Sequence, residues 1–175
     1  MRRVQAAALE LFEARGFDAV SIEEVARAAE VGAATVYRNF GTKERLVLWD
    51  EYDPPLLAAL AERLTSAEPL AAMQAALEAT LARLHAREAE RILRRARLVR
   101  ATPALTRASS ADQAALAAAI AAVLDASGKT RDALASQVVA AVLVAVLVAA
   151  LDHWLAQEGR LPLARCLRMA FARLP

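Results

Sequence analysis

Thr35, Tyr37 and Arg38 stand within four residues of one another, and Thr42 and Lys43 follow just beyond Gly41. Together they offer hydroxyl, guanidinium and ammonium donors, the groups that bond phosphate oxygens and base edges. Ala33 and Ala34 precede them, and two small side chains let a helix approach the floor of a groove closely. The spacing predicts a short helix over residues 33–39 that buries only Val36 and Phe40, at i and i+4. The Lys43 ammonium, the Thr42 hydroxyl and free N–H groups opening the next helix are placed to converge on one phosphate.

The elements that must position this set lie just upstream. Residues 2–15 put Val4, Ala8, Leu11 and Phe12 on one helical face, and Gly16 suits a left-handed helix end. Ser21 with Glu24 three residues later has the pattern of a capping box, opening a second helix with Ile22, Val25, Ala26 and Ala29 as its buried stripe. Val31-Gly32 breaks that helix, and Gly32 is expected to supply the sharp turn. The third helix is too short to be stable alone and needs both neighbours. From spacing alone two readings stand: a DNA-reading helix-turn-helix, or a small helical packing module with a polar outside face.

The run LELFEARGFDAVSIEEVARAAEV, followed by ATVYRNF and TKERL, resembles the N-terminal domain of TetR-family transcriptional regulators. The resemblance implies that Thr35, Tyr37 and Lys43 touch the DNA backbone and that Ala33, Ala34 and Arg38 lie nearest the bases. Three positions depart from the family's pattern. Gly32 stands in place of a capping Ser, Asn39 in place of a frequent His, and Ser21 in place of the more usual Thr. Glycine is tolerated at a cap. With alanine at 33 and 34, operator choice is expected to rest on Arg38, Tyr37 and DNA shape.

Beyond Lys43 a fourth helix is expected to run through Leu46, Leu48, Trp49 and Tyr52 until Pro54-Pro55 kinks or ends it. The prolines mark either a mechanical joint or a simple stop before a new helix at Pro55. Another helix starts near Glu68-Pro69, with Leu70, Met73, Leu77, Leu81 and Leu84 on one face. Residues 87–107 carry seven Arg against Glu88 and Glu90, which suits either a solvated face or an anion site for DNA backbone or a coenzyme A thioester. Thr102-Pro103 opens the next helix, interrupted or recapped where Ser110 and Gln113 form a second capping-box pattern, and Ser127-Gly128 stops it. The phrases VLWDEYDPPL and RARLVRATPAL resemble a mycofactocin-regulator-like group of TetR proteins linked to fatty acyl-CoA sensing. An effector pocket walled by Trp49, Tyr52, Met73, Leu77, Leu81 and Leu98 is expected on position.

The helix from Thr130 to Gln157 is apolar on every side between Val138 and Leu151, so it must be surrounded. The last helix lines up Leu163, Leu167, Ala170 and Leu174. Two such helices meeting their symmetry mates form a four-helix dimer interface, expected at Val139, Val142, Leu143, Val146, Leu163, Leu167, Ala170 and Leu174. A central core helix in a monomer is the other reading. The resemblance implies the dimer.

Composition bounds the rest. The 175 residues suit one domain, or a small one fused to a larger, and 58% are apolar with only 5 Gly and 6 Pro, which favours helices. Residues 1–45 hold seven Lys/Arg and seven Asp/Glu, so the DNA-binding part lacks the usual basic footprint. Cys166 is the single cysteine, which is consistent with a reducing cytoplasmic setting. The N-terminus shows no signal-like pattern, and the fourteen-residue apolar run is short for a membrane span. His85 and His153 are isolated, and no catalytic, metal-ligating or cofactor-binding pattern is present.

The expected protein is therefore all-α. A three-helix helix-turn-helix DNA-binding domain occupies residues 1–46, and an antiparallel helical ligand-binding and dimerisation bundle occupies 47–175. Its partners are double-stranded operator DNA, a second copy of the chain and a small apolar effector. A helical binding or enzymatic domain that borrows the fold without acting on DNA is the alternative.

Overall fold

The computed structural model describes residues 1–82 and 86–174, so Leu84 and His85 lie outside the described residues. Among these, ten helices form and no strands: α1 Arg2–Arg15, α2 Ile22–Ala28, α3 Ala33–Phe40, α4 Lys43–Leu48, α5 Asp53–Arg63, α6 Pro69–Leu81, α7 Ala86–Ala101, α8 Pro103–Ser127, α9 Ala133–Ala156 and α10 Leu163–Phe171. The chain divides into two compact units. The first is Met1–Asp50 with Arg94–Ala111, and the second is Glu51–Leu93 with Asp112–Pro175. The first unit thus extends past residue 46 to Asp50, and it includes a returning segment whose Leu105 is fully buried in the first core.

In the first unit, α1 buries Val4, Ala8, Leu9 and Phe12, while Leu11 packs only at the edge. The capping box of α2 is complete. Ser21 Oγ accepts from the Glu24 N–H at 3.2 Å, and Glu24 Oε2 accepts from the Ser21 N–H at 2.8 Å. Val25, Ala26 and Ala29 are buried behind it. The turn to α3 does not use Gly32, which is extended at φ −68°. Glu30 is the left-handed residue, at φ 52°, and the N–H groups of Val31 and Glu30 bond the carbonyls of Ala26 and Arg27. That is a Schellman ending with a charged residue where glycine is favoured.

The fourth helix stops at Leu48, well before the prolines, and a separate α5 carries Pro54 and Pro55 in its first turn. The stop has a long-range cause. The Gln5 amide, itself buried on α1, donates to the carbonyls of Val47 at 3.1 Å and Trp49 at 2.8 Å. Arg95 Nη1 donates to the same Trp49 oxygen at 3.0 Å, and its Nη2 lies 2.5 Å from the Asp50 carboxylate. Carbonyls orphaned at a helix end are thus satisfied from α1 and α7.

In the second unit, the core gathers Leu56, Leu60 and Leu64 of the α5 region, Ala72, Met73, Ala76 and Leu77 of α6, Ile120 and Leu124 of α8, and Leu143 and Val146 of α9. The α9 helix packs on α10 and α6, and α6 on α5. A smaller cluster joins Ile92 and Leu93 to Trp154 and Cys166, where burial raises the thiol pKa. There Gly159, at φ 74°, lets the backbone pass Leu93, because an added Cβ would sit 2.9 Å from a Leu93 methyl. The α8 helix runs unbroken through 109–110, and Ser110 bonds back to the Thr106 carbonyl at 3.2 Å rather than capping a new helix.

The residues expected at a dimer interface differ in their burial within the chain. Leu143, Val146 and Leu167 are spent on the protomer's own core. Val139, Leu163, Ala170 and Leu174 are half-buried against it, and Val142 is exposed. The apolar side of α9 that reaches water runs through Leu134, Val138 and Val142, with Ala141, Ala145 and Ala149 beside it. The fourteen-residue apolar run lies within the longer α9. At 24 residues and a mean hydropathy of 2.6 over its most apolar window, α9 is long and apolar enough to cross a bilayer. Its packing on α6 and α10, and the fully buried Ser136 bonded to Asp125, are those of a core helix with one open side.

Two substitutions test this architecture. Gln5→Leu should lower unfolding stability by about 1–3 kcal/mol in urea titration, since a buried carbonyl loses its donor. Glu30→Gly should raise it by about 0.5–1 kcal/mol by relieving the left-handed strain, the exposed Arg3–Glu30 pair being worth little.

Candidate nucleic-acid interface

The candidate recognition surface is the outer side of α3. Val36 and Phe40 face the first core, and Ala33 packs at its edge, so Ala34 rather than Ala33 is the exposed small residue. Tyr37, 45% exposed, Arg38 and Asn39 project outward, with Thr35 half-buried beside them. Arg38 Nη2 lies 3.5 Å from Thr35 Oγ1, too long to restrain the guanidinium.

The other side chains are held more firmly. Lys43 Nζ sits 4.5 Å from the Phe17 ring centroid and 5.6 Å from that of Phe12, and donates weakly to the Asp18 carbonyl at 3.4 Å. The ammonium itself is thereby held beside two buried aromatic rings. Thr42 caps α4 by accepting from the Arg45 N–H at 3.4 Å, which uses one of the N–H groups expected to meet a phosphate. The Tyr37 hydroxyl donates to Glu23 Oε1 at 2.9 Å. That bond, then desolvation, raises the phenol pKa above its ordinary value. Glu23 was not legible as part of this surface, because only the fold brings the first turn of α2 beside α3.

Electrostatics also change once the returning segment is included. Residues 94–111 add five Arg and no carboxylate, so the first unit holds twelve Lys/Arg against eight Asp/Glu, a net charge of +4. The basic stretch is not an open anion site along its length, however. Arg91 pairs with Glu51 at 2.5 Å, Arg94 grips both Glu13 oxygens, and Arg95 is taken by Asp50 and Trp49.

The six residues expected to wall an effector pocket are distributed over three clusters. Trp49 and Leu98 belong to the first core, with Trp49 edge-on to Phe40 at 6.4 Å. Met73 and Leu77 are buried in the second core with Leu81 at its edge, and Tyr52 joins the Trp154 cluster.

Comparison with known proteins gives two family matches. A model described as bacterial regulatory proteins, tetR family, matches residues 5–48, and the MftR C-terminal domain matches residues 67–175. The HTH-type transcriptional regulator TcmR of Streptomyces glaucescens is 38% identical over 105 residues, covering 56% of this chain but 46% of TcmR, so the chain spans under half of that relative. MftR of Mycobacterium tuberculosis, named for mycofactocin biosynthesis regulation, is 30% identical over 157 residues, 87% of this chain and 78% of that one. Among solved structures, Thermus thermophilus FadR, a TetR-family repressor in complex with lauroyl-CoA, aligns with a TM-score of 0.56 at 26% identity over 98% of this chain and 91% of its own. A SmeT–triclosan complex aligns at 0.61 with 18% identity over 98% and 89%, a likeness of fold alone.

The capping box gives the surface a pH limit. The Ser21 N–H, and then Arg15 at 2.7 Å, lower the Glu24 pKa to about 2 from an ordinary 4.5. A depressed carboxylate pKa stabilises the fold fully above 4.5, and the contribution is lost as pH falls towards 2. Melting temperature should therefore drop across that window, and Glu24→Gln should flatten the drop while lowering the plateau above it.

Proposed function

The chain belongs to the TetR family of bacterial regulatory proteins, and on that premise we propose that it is a homodimeric, ligand-responsive repressor of a pseudo-palindromic operator. The observation that carries this reading is the outer face of α3. Arg38 projects outward beside Ala34, and Tyr37 and Lys43 flank it, on a unit with a net charge of +4. Arg38 is assigned to base edges, and Thr35, Tyr37, Thr42 and Lys43 to the backbone. A sparse base-reading face makes one copy a weak binder. Two copies reading successive major grooves, about one helical turn apart, supply the affinity.

The second copy is assigned to the exposed stripe of α9, with Val142 central to it and the half-buried Val139, Leu163, Ala170 and Leu174 at its margin. The effector is assigned to the second unit, and the likeness to FadR, solved with lauroyl-CoA, supports a fatty acyl-CoA-like ligand. Of the expected pocket residues, Tyr52, Met73, Leu77 and Leu81 belong to that unit. Effector binding favours a state with a different spacing of the two recognition helices and so lowers operator affinity. The protein then works in the cytoplasm, on DNA, without a cofactor. A helical binding or enzymatic domain that ignores DNA is the less favoured reading, since it leaves the exposed Arg38 and Tyr37 unexplained.

A gel-shift titration on DNA upstream of its own gene tests the proposal. Affinity should fall steeply with salt, and Lys43→Ala should weaken binding and reduce the salt slope by about one per protomer. Tyr37→Phe should weaken it as well, Val138→Asp with Val142→Asp should yield a monomer that no longer shifts the band, and lauroyl-CoA should release it. Wild-type binding by Tyr37→Phe and Lys43→Ala would remove the backbone contacts from the assignment.

A further inference from the structure

Phosphate oxygens only accept hydrogen bonds, and the Tyr37 phenol has a single proton to donate. In the free protein that proton is already committed to Glu23, whose Oε1 lies 2.9 Å away. Both helices that carry the pair are fixed, α2 by its capping box and α3 by the Schellman turn and the burial of Val36 and Phe40, so the pairing follows from the fold. A hydrogen bond to an ionised carboxylate is roughly twice as strong as a neutral one. To grip a DNA phosphate, Tyr37 must turn its hydroxyl away from Glu23. It then leaves a carboxylate with one donor fewer beside an incoming anion.

We propose that Glu23 competes with the DNA backbone for the Tyr37 hydroxyl and so lowers affinity for all duplexes alike, making it a residue that tunes the overall DNA affinity of this regulator without changing its preference among sequences. The inference rests on the DNA-binding reading above. Backbone contacts carry no sequence information, so weakening one of them lowers operator and non-specific binding equally in free energy. Arg38 and the DNA's own shape then account for a larger share of the affinity that remains. The pair's electrostatics agree with the geometry. The Glu23 carboxyl is held below its ordinary pKa by its own backbone N–H first and by Tyr37 second, which favours the charged form.

A double-mutant cycle tests it, with Glu23→Ala made in the wild-type and Tyr37→Phe backgrounds and binding measured on the upstream DNA and on an unrelated duplex of equal length. In the wild-type background Glu23→Ala should tighten binding to both duplexes by roughly fivefold, and in the Tyr37→Phe background by less than about twofold. Equal tightening in both backgrounds would reduce the role of Glu23 to simple charge repulsion and overturn the proposal. Weaker binding by Glu23→Ala would overturn it too, since the carboxylate would then be aiming Tyr37 at DNA. Ultraviolet titration of the free protein gives a readout that needs no DNA. Glu23→Ala should lower the ionisation pH of one of the two tyrosines, and an unchanged titration would remove the hydrogen bond itself. If wild type binds no duplex at low salt, the DNA-binding reading fails, and the tyrosine titration still reports separately on the pair.

Discussion

The first unit depends on what happens to two carbonyl oxygens at the end of a six-residue helix. A helix of that length has almost no stability of its own, and its last carbonyls have no intrahelical donor. Here the Val47 and Trp49 oxygens are met by Gln5 and Arg95, which come from α1 and α7. Burying the Gln5 amide is costly unless both of its N–H groups find acceptors, and in this arrangement both do. The consequence reaches the recognition helix. With its carbonyl held, Trp49 sets its ring edge-on to Phe40, the residue that ends α3 and anchors it to the core. The angle at which Tyr37 and Arg38 leave the protein is thus set in part by a side chain 32 positions upstream of Tyr37.

Local signals made the first three helices readable from sequence. The Ser21–Glu24 capping box, the burial of Val36 and Phe40, and the exposure of Tyr37 and Arg38 all follow from spacing within a few residues. The features that were not readable depend on contacts far apart in the chain or on a cancelled pattern. The break at Trp49 is set by Gln5 and Arg95, whereas Pro54 offered a nearer and more obvious cause. Ser110 has the composition of a cap, yet tertiary context keeps the helix continuous and turns its hydroxyl back to Thr106. Gly32 offered an easy turn, but Glu30 occupies the strained position.

The longest apolar helix shows the limit most clearly. Because α9 is apolar all round, no periodicity separates the side that meets α6 and α10 from the side that meets water. Val146 differs from Val142 only by its position on the helical wheel, and only packing assigns the two opposite roles. The same uniformity explains why composition alone cannot tell α9 from a membrane span.

The first unit is discontinuous in sequence, and this bears on how such proteins diversify. Recombination that exchanged residues 1–50 between relatives would carry over the reading surface but leave behind Leu105, which fills its core, Arg95, which closes its fourth helix, and the five arginines that give it positive charge. A chimera cut at that point would inherit an address without the means to hold it. The integrity of the first unit in this chain is therefore tied to a segment embedded far downstream in the sequence, and the two parts must evolve as a matched set.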